Sequence, residues 1–190
     1  MPKLMIVVGS VREGRIGLPI AQWVRGAVER HGGFEIDWAD LKEIGLPLMT
    51  EPNHPRLRQY TQTSTIAWSE RVDAADALIF VQPEYNFSYS PALKNAMDHL
   101  SQEWWRKPLG TVSYGGVSGG TRGTAALRVP EMALGLVPTT VNVEIPWAFK
   151  QIEDGVFTPL DSQATMLERM LNELTSLDAA LAPLRAAPRP

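Results

Sequence analysis

The chain has 190 residues, 44% of them hydrophobic, a formal net charge of -3 and no cysteine. That length suits one domain with a sizeable core, and the mild negative charge without any basic run excludes a nucleic-acid surface. The missing cysteines exclude disulfides, thiolate metal sites and cysteine-based redox chemistry.

Leu4 to Val8 is an apolar run stopped by Gly9, the pattern of a strand covered on both faces in a parallel sheet. The glycine-punctuated loop Gly9-Ser10-Val11-Arg12-Glu13-Gly14-Arg15-Ile16-Gly17 follows, and an amphipathic helix is expected over 18–31, closed by Gly32-Gly33. Gly9 and Gly14 have the spacing of a nucleoside-triphosphate loop, yet Arg15 and Ile16 stand where lysine and a hydroxyl residue belong. Val11 likewise breaks the dinucleotide fingerprint. A single phosphate held by Ser10, Arg12, Arg15 and the helix start is the simpler reading, because an arginine forks two N–H donors onto phosphate oxygens.

Further apolar runs at Phe34 to Trp38, Ala77 to Val81, Leu109 to Tyr114 and Thr139 to Val143 predict four more strands. Helices are expected over 59–75, 91–102, 121–134 and 161–182, the third capped and opened by Ser90-Pro91. Residues 1–185 read as one domain and 186–190 as a frayed tail. Strands alternating with helices imply a doubly wound α/β fold: a five-stranded parallel sheet of order 2-1-3-4-5, helices on both faces. In that order ligands bind outside the carboxyl ends of the strands, so the loops at 9–17, 82–90 and 113–120 converge.

The second of these loops, Pro83-Glu84-Tyr85-Asn86-Phe87-Ser88-Tyr89-Ser90, offers aromatic faces edged by donors, which suits a planar heteroaromatic ring. Across from it, Ser113-Tyr114-Gly115-Gly116 lets backbone approach a ring edge. A phosphate clamp, a ring platform and a glycine edge together describe flavin mononucleotide. The three histidines, His31, His54 and His99, show no ligand spacing, so no metal site is expected. Gly116-Val117-Ser118-Gly119-Gly120 matches a hydrolase elbow, but all three histidines precede Ser118, leaving no downstream base.

Gly9-Ser10-x-Arg12, Asp40-Leu41 with Leu46-Pro47, Pro83-Glu84-Tyr85-Asn86 and Pro91-Ala92-Leu93-Lys94-Asn95-Ala96-x-Asp98 are the motifs of a known group. On them the chain resembles the NAD(P)H-dependent FMN reductases, flavodoxin-like proteins that include chromate and quinone reductases. The resemblance implies that Ser10, Arg12, Arg15, Ile16 and Gly17 bind the FMN phosphate. It implies that Pro83, Glu84, Tyr85, Asn86 and Phe87 line the isoalloxazine, with Ser113, Tyr114, Gly115 and Gly116 at its border. It further implies a ping-pong reaction in which NADPH or NADH reduces the flavin and a small-molecule acceptor such as a flavin or quinone takes the electrons. No side-chain acid or base is then required. A flavodoxin-type electron carrier is the alternative. A homodimer or homotetramer in the cytoplasm, without nucleic-acid or membrane partners, is expected; Trp104-Trp105 and Trp147 are candidates for its contacts, as Lys94, Asp98 and His99 are for surface or interface.

Overall fold

The structure, a computed structural model, describes residues 1–187. In chain order its elements are β1 (Lys3–Val8), α1 (Gly17–His31), β2 (Glu35–Asp40), the short α2 (Leu41–Ile44), α3 (Thr63–Asp73), β3 (Ala77–Pro83), α4 (Pro91–Asp98), β4 (Pro108–Gly115), α5 (Thr121–Leu134), β5 (Val137–Pro138), β6 (Val143–Pro146), the small hairpin β7 (Ile152–Glu153) and β8 (Val156–Phe157), and α6 (Asp161–Ala186). The sheet runs β2-β1-β3-β4-β5 with every pair parallel, and β6 also pairs with β4. This is the flavodoxin-like, doubly wound arrangement, with the order of strand addition reversing between β1 and β3.

Strand alternation divides the core in two. Leu4, Ile6 and Val8 of β1 face α1 and α6, meeting Ile20, Val24 and Val28 on one and Leu167, Met170, Leu171 and Leu174 on the other. Met5 and Val7 face the opposite layer, where Trp68 of α3, Leu93 and Met97 of α4 and Leu127 of α5 pack. Successive strand side chains point to opposite faces, so a wholly apolar run feeds both layers.

The predicted fifth strand over 139–143 is two short pieces. β5 pairs with Pro108 and Leu109, whereas β6 pairs with Val112 to Gly115, so four residues on the edge strand span two on β4. Polar side chains hold this bulge: the Thr139 hydroxyl donates to the Leu109 and Val141 carbonyls, and Glu173 accepts from the amides of Thr140 and Val141. Local hydrogen bonding by Thr-Thr competes with the ladder, and edge position tolerates the interruption.

Three other expectations shift. α4 stops at Asp98, α3 begins at Thr63, and α6 continues to Ala186, so the expected tail is partly helix while 188–190 lie outside the described residues. Trp104 is 1% exposed and packs on Trp68 and Phe80 with ring centroids 6.1 and 6.3 Å apart, which makes it core rather than surface. His99 is fully buried, its Nδ1 2.8 Å from the Asn95 carbonyl oxygen, because the helix ends just before it and turns it inward. Among the described residues no helix is long and apolar enough to cross a membrane.

Candidate active site at the carboxyl edge of the sheet

Beyond the carboxyl ends of β1, β3 and β4 lies a cleft of about 440 Å³, within the range of small-molecule and cofactor sites. The first loop contributes Ser10, Arg12, Gly14, Arg15 and Ile16; the second Pro83, Glu84 and Tyr85; the third Tyr114, Gly115 and Gly116. Phe149, from the segment after β6, completes the wall.

On the first loop, α1 starts without help. Its N-cap is Ile16, no side chain caps it, and its first turn holds no acid. The orphan N–H groups and the positive end of the helix dipole are left for a ligand, which favours an anion. Arg12 is exposed, lies 5.8 Å from the Tyr85 ring centroid and makes no ion pair among the described residues. Tyr85 in turn shares a 2.7 Å hydrogen bond with the Ser10 hydroxyl.

Tyr114 does something the sequence reading missed. Its ring descends beneath the loop until its hydroxyl meets the start of α1, where a Cβ on Gly17 would come within 2.2 Å of it. Gly17 is therefore there for close approach. Ser10, which bonds Tyr85, lies near this hydroxyl, but the two do not meet in hydrogen-bond geometry, and Tyr114 Oη is buried without a hydrogen-bond partner among the described residues. Burial pushes the Tyr114 phenol well above its usual range, so it stays protonated and can donate. The hydroxyl of this residue, expected at the ring edge, thus lies at the start of α1.

Arg15, expected in the clamp, lines the cleft but is paired within the fold. Both its terminal nitrogens bond Asp40, each at 2.5 Å, and it also donates to the Ser10 carbonyl. The pair is nearly sealed, with the side chains 9% and 0% exposed. Hydrogen bonding to Asp40 raises the Arg15 pKa further, so its charge is spent on bracing the loop to the end of β2. Asp40 was legible only as a motif residue; its partner lies 25 positions upstream, beyond any local signal.

Glu84 is equally committed. Its carboxylate accepts from the Ser118 hydroxyl at 2.8 Å, from the amides of Arg122 and Gly123, and from the Arg122 guanidinium at 2.7 Å. Burial alone would raise its pKa, yet these bonds hold it below the usual carboxylate range. It thus caps α5, whose own N-cap is Gly120 at φ 94°, in place of a local side chain. Ser118 is consumed in the same contact, and no histidine approaches it: His54 caps a short turn at Arg56, and His31 lies 3.2 Å from Asn172.

Asn86 and Phe87, expected to line the ring, are not among the residues that line the cleft. They form the tip of a tight turn at φ 50° and 68°, closed by paired backbone bonds between Tyr85 and Ser88, which aims both outward. Phe87 sits under the Arg122 guanidinium at 3.8 Å. Ser113 is buried and donates to the Gly119 carbonyl at 3.0 Å, shaping the glycine loop from behind.

The residues present fit FMN at its phosphate end: an unpaired arginine, an orphan phenol and an uncapped helix start meet at one corner of the cleft. Comparison with known proteins agrees. Residues 2–145 match the family model described as NADPH-dependent FMN reductase. An NAD(P)H-dependent FMN reductase of Schizosaccharomyces pombe is 37% identical over 161 residues, covering 83% of this chain and 80% of its own. An FMN-dependent NADPH-azoreductase of Staphylococcus saprophyticus is 27% identical over 157 residues, covering 82% and 83%. Among solved structures, the flavoenzyme NAD(P)H:acceptor oxidoreductase of Paracoccus denitrificans superposes with a TM-score of 0.75 at 22% identity, covering 95% of this chain and 98% of that one. With motif, sheet order and matched length in accord, the chain belongs to the NADPH-dependent FMN reductase family, the FMN- and NAD(P)H-dependent oxidoreductases of the flavodoxin-like fold.

Proposed function

We propose that residues 1–185 act as one FMN-binding unit that reduces a small organic acceptor, a flavin, quinone or similar molecule, at the expense of NADPH or NADH. The observation that carries this reading is the corner where α1 begins: three kinds of donor converge there, and among the described residues Arg12 makes no ion pair, the Tyr114 hydroxyl has no hydrogen-bond partner and no side chain caps α1. When bound, FMN supplies hydride acceptance and two-electron donation. The protein binds and orients. Arg12 forks onto the phosphate, the first amides of α1 and the Tyr114 hydroxyl donate to it, and Arg15 keeps the loop in shape through Asp40. Pro83 and Tyr85 flank the ring, and Gly115 and Gly116 bring backbone N–H groups toward its edge. Glu84 holds that glycine loop through Ser118 and the start of α5.

Because no titratable side chain is asked to move a proton, the one proton that the hydride does not supply comes from solvent at the open cleft. The proposal also takes the protein as a cytoplasmic homodimer or homotetramer. Phe87, Val129 and Met132, 64%, 66% and 76% exposed, support a subunit contact along α5.

The test is an anaerobic titration of the FMN-loaded protein with NADPH and then NADH, followed at about 450 nm, where bound flavin absorbs. Bleaching at one equivalent is expected and identifies the better donor. Flavin that binds and is not reduced would reassign the protein as an electron carrier.

A further inference from the structure

The segment after β6 reaches the cleft from outside the three glycine- and aromatic-bearing loops. Trp147 adopts φ 51°, a left-handed conformation that a bulky aromatic keeps only when its surroundings impose it. Here they do. The Trp147 amide donates to the Gly116 carbonyl at 3.0 Å, its own carbonyl accepts from the Lys150 amide at 2.8 Å, and Ala148 between the two aromatics is fully buried. With Ala148 pinned inward, Trp147 and Phe149 turn out to 46% and 56% exposure and meet edge to face, ring centroids 6.2 Å apart at 87°.

This corner stands beside the cleft rather than away from it. Phe149 lines the wall, and the indole of Trp147 comes within 3.9 Å of where a Gly116 side chain would start. The Lys150 ammonium lies 5.5 Å from the Trp147 ring centroid and pairs with no carboxylate among the described residues. Two half-exposed aromatics at a right angle, held by an imposed backbone and flanked by a free cation, form a surface complementary to a flat ring bearing negative charge.

We infer that Trp147, Phe149 and Lys150 form the acceptor-selecting wall of the cleft, favouring planar aromatic acceptors that carry an anionic group over small inorganic ones. The inference rests on the reductase reading above. The overall reaction balances without further reagents: NAD(P)H yields two electrons and a proton as hydride, solvent yields one more proton, and a quinone becomes its hydroquinone.

The experiment compares 1,2-naphthoquinone-4-sulfonate with ferricyanide as acceptors for the FMN-loaded protein, and measures equilibrium binding of the quinone to the oxidised protein by calorimetry. Trp147→Ala and Phe149→Ala are each expected to weaken quinone binding about tenfold and to lower the quinone-to-ferricyanide ratio of kcat/KM by about the same factor, the scale of an aromatic pair contact. Trp147→Phe should recover most of the loss, and Lys150→Gln should weaken the sulfonated quinone while sparing its uncharged parent. Quinone binding left unmoved by both alanine variants overturns the inference. An equal rise in the KM for NADPH also overturns it, as does a smaller assembly for Trp147→Ala on size-exclusion chromatography, which would assign the corner to a subunit contact. Wild-type protein that fails to retain FMN, or retains it without reduction by NADPH, overturns the reductase reading itself and is read before any variant is compared.

Discussion

The helices α1 and α5 begin alike and are completed differently. Each starts after a glycine-bearing loop at the carboxyl edge of the sheet, each lacks a side-chain cap of its own, and neither has an acid in its first turn. At α5 the chain supplies the missing anion: Glu84 reaches across from the loop after β3 and accepts from the amides of Arg122 and Gly123. At α1 no carboxylate of the described residues arrives, since Asp40, the buried acid nearby, is tied to Arg15. One start is closed by a carboxylate from across the sheet, and the other keeps its donors open to the cleft. Their difference supports the proposed phosphate corner more sharply than the glycines do, because glycines serve both.

The largest effect expected from disturbing this contrast is on stability at the α1 side. Asp40→Ala leaves Arg15 buried and uncompensated, and should cost about 3–5 kcal/mol in chemical denaturation; a loss under about 1 kcal/mol, the worth of an exposed pair, would show the brace to be dispensable. Next comes the open donor. Arg12→Ala should weaken FMN binding by about 1.5–3 kcal/mol, read by flavin fluorescence quenching, with the unfolding midpoint unmoved because Arg12 holds no ion pair among the described residues.

On the closed side, Glu84→Ala should cost about 0.5–2 kcal/mol of stability, the range of a lost helix cap. The same contact predicts a pH dependence. Since the folded carboxyl is held below its usual 4.5, its contribution is complete above that pH and is lost as the pH falls toward the folded value. The stability gap between wild type and Glu84→Ala should therefore close in acid, and a gap that widens would contradict the capping role. The smallest effect is expected for Tyr114→Phe, which should weaken FMN binding by about 0.5–1.5 kcal/mol and leave stability intact. A loss of stability instead would mean that the hydroxyl has a partner within the chain.

Much of the fold was legible because it rests on short-range signals. Strand β1 and helix α1 follow from an apolar run and a 3.6-residue pattern, and Ser90 caps α4 as Ser-Pro predicts, accepting from the Leu93 amide at 3.1 Å while donating to the Gly9 carbonyl at 2.5 Å. The fifth strand was misread because a β-branched run cannot announce a bulge whose stabilising carboxylate, Glu173, lies on α6. The candidate site divides in the same way. Its three loops were found from composition, but Arg12 and Arg15 are indistinguishable as residue types three positions apart. Phe149 had no signal at all beyond two aromatics flanking a small residue after the sheet's last strand.

Periodicity, glycine placement and the family's motifs by themselves determined the α/β order, the edge of the sheet where a ligand belongs and the chemistry of that ligand. These features are local, and backbone sterics and side-chain hydrophobicity read them without reference to distant residues. Tertiary structure alone decided which charges stay free. Arg15 is neutralised by Asp40, Glu84 by Arg122 and the amides of α5, and the Tyr114 phenol is stranded beneath Gly17. Pairing depends on which side chains meet across the sheet's end, and a buried charge or donor takes its function from the partner it finds or lacks.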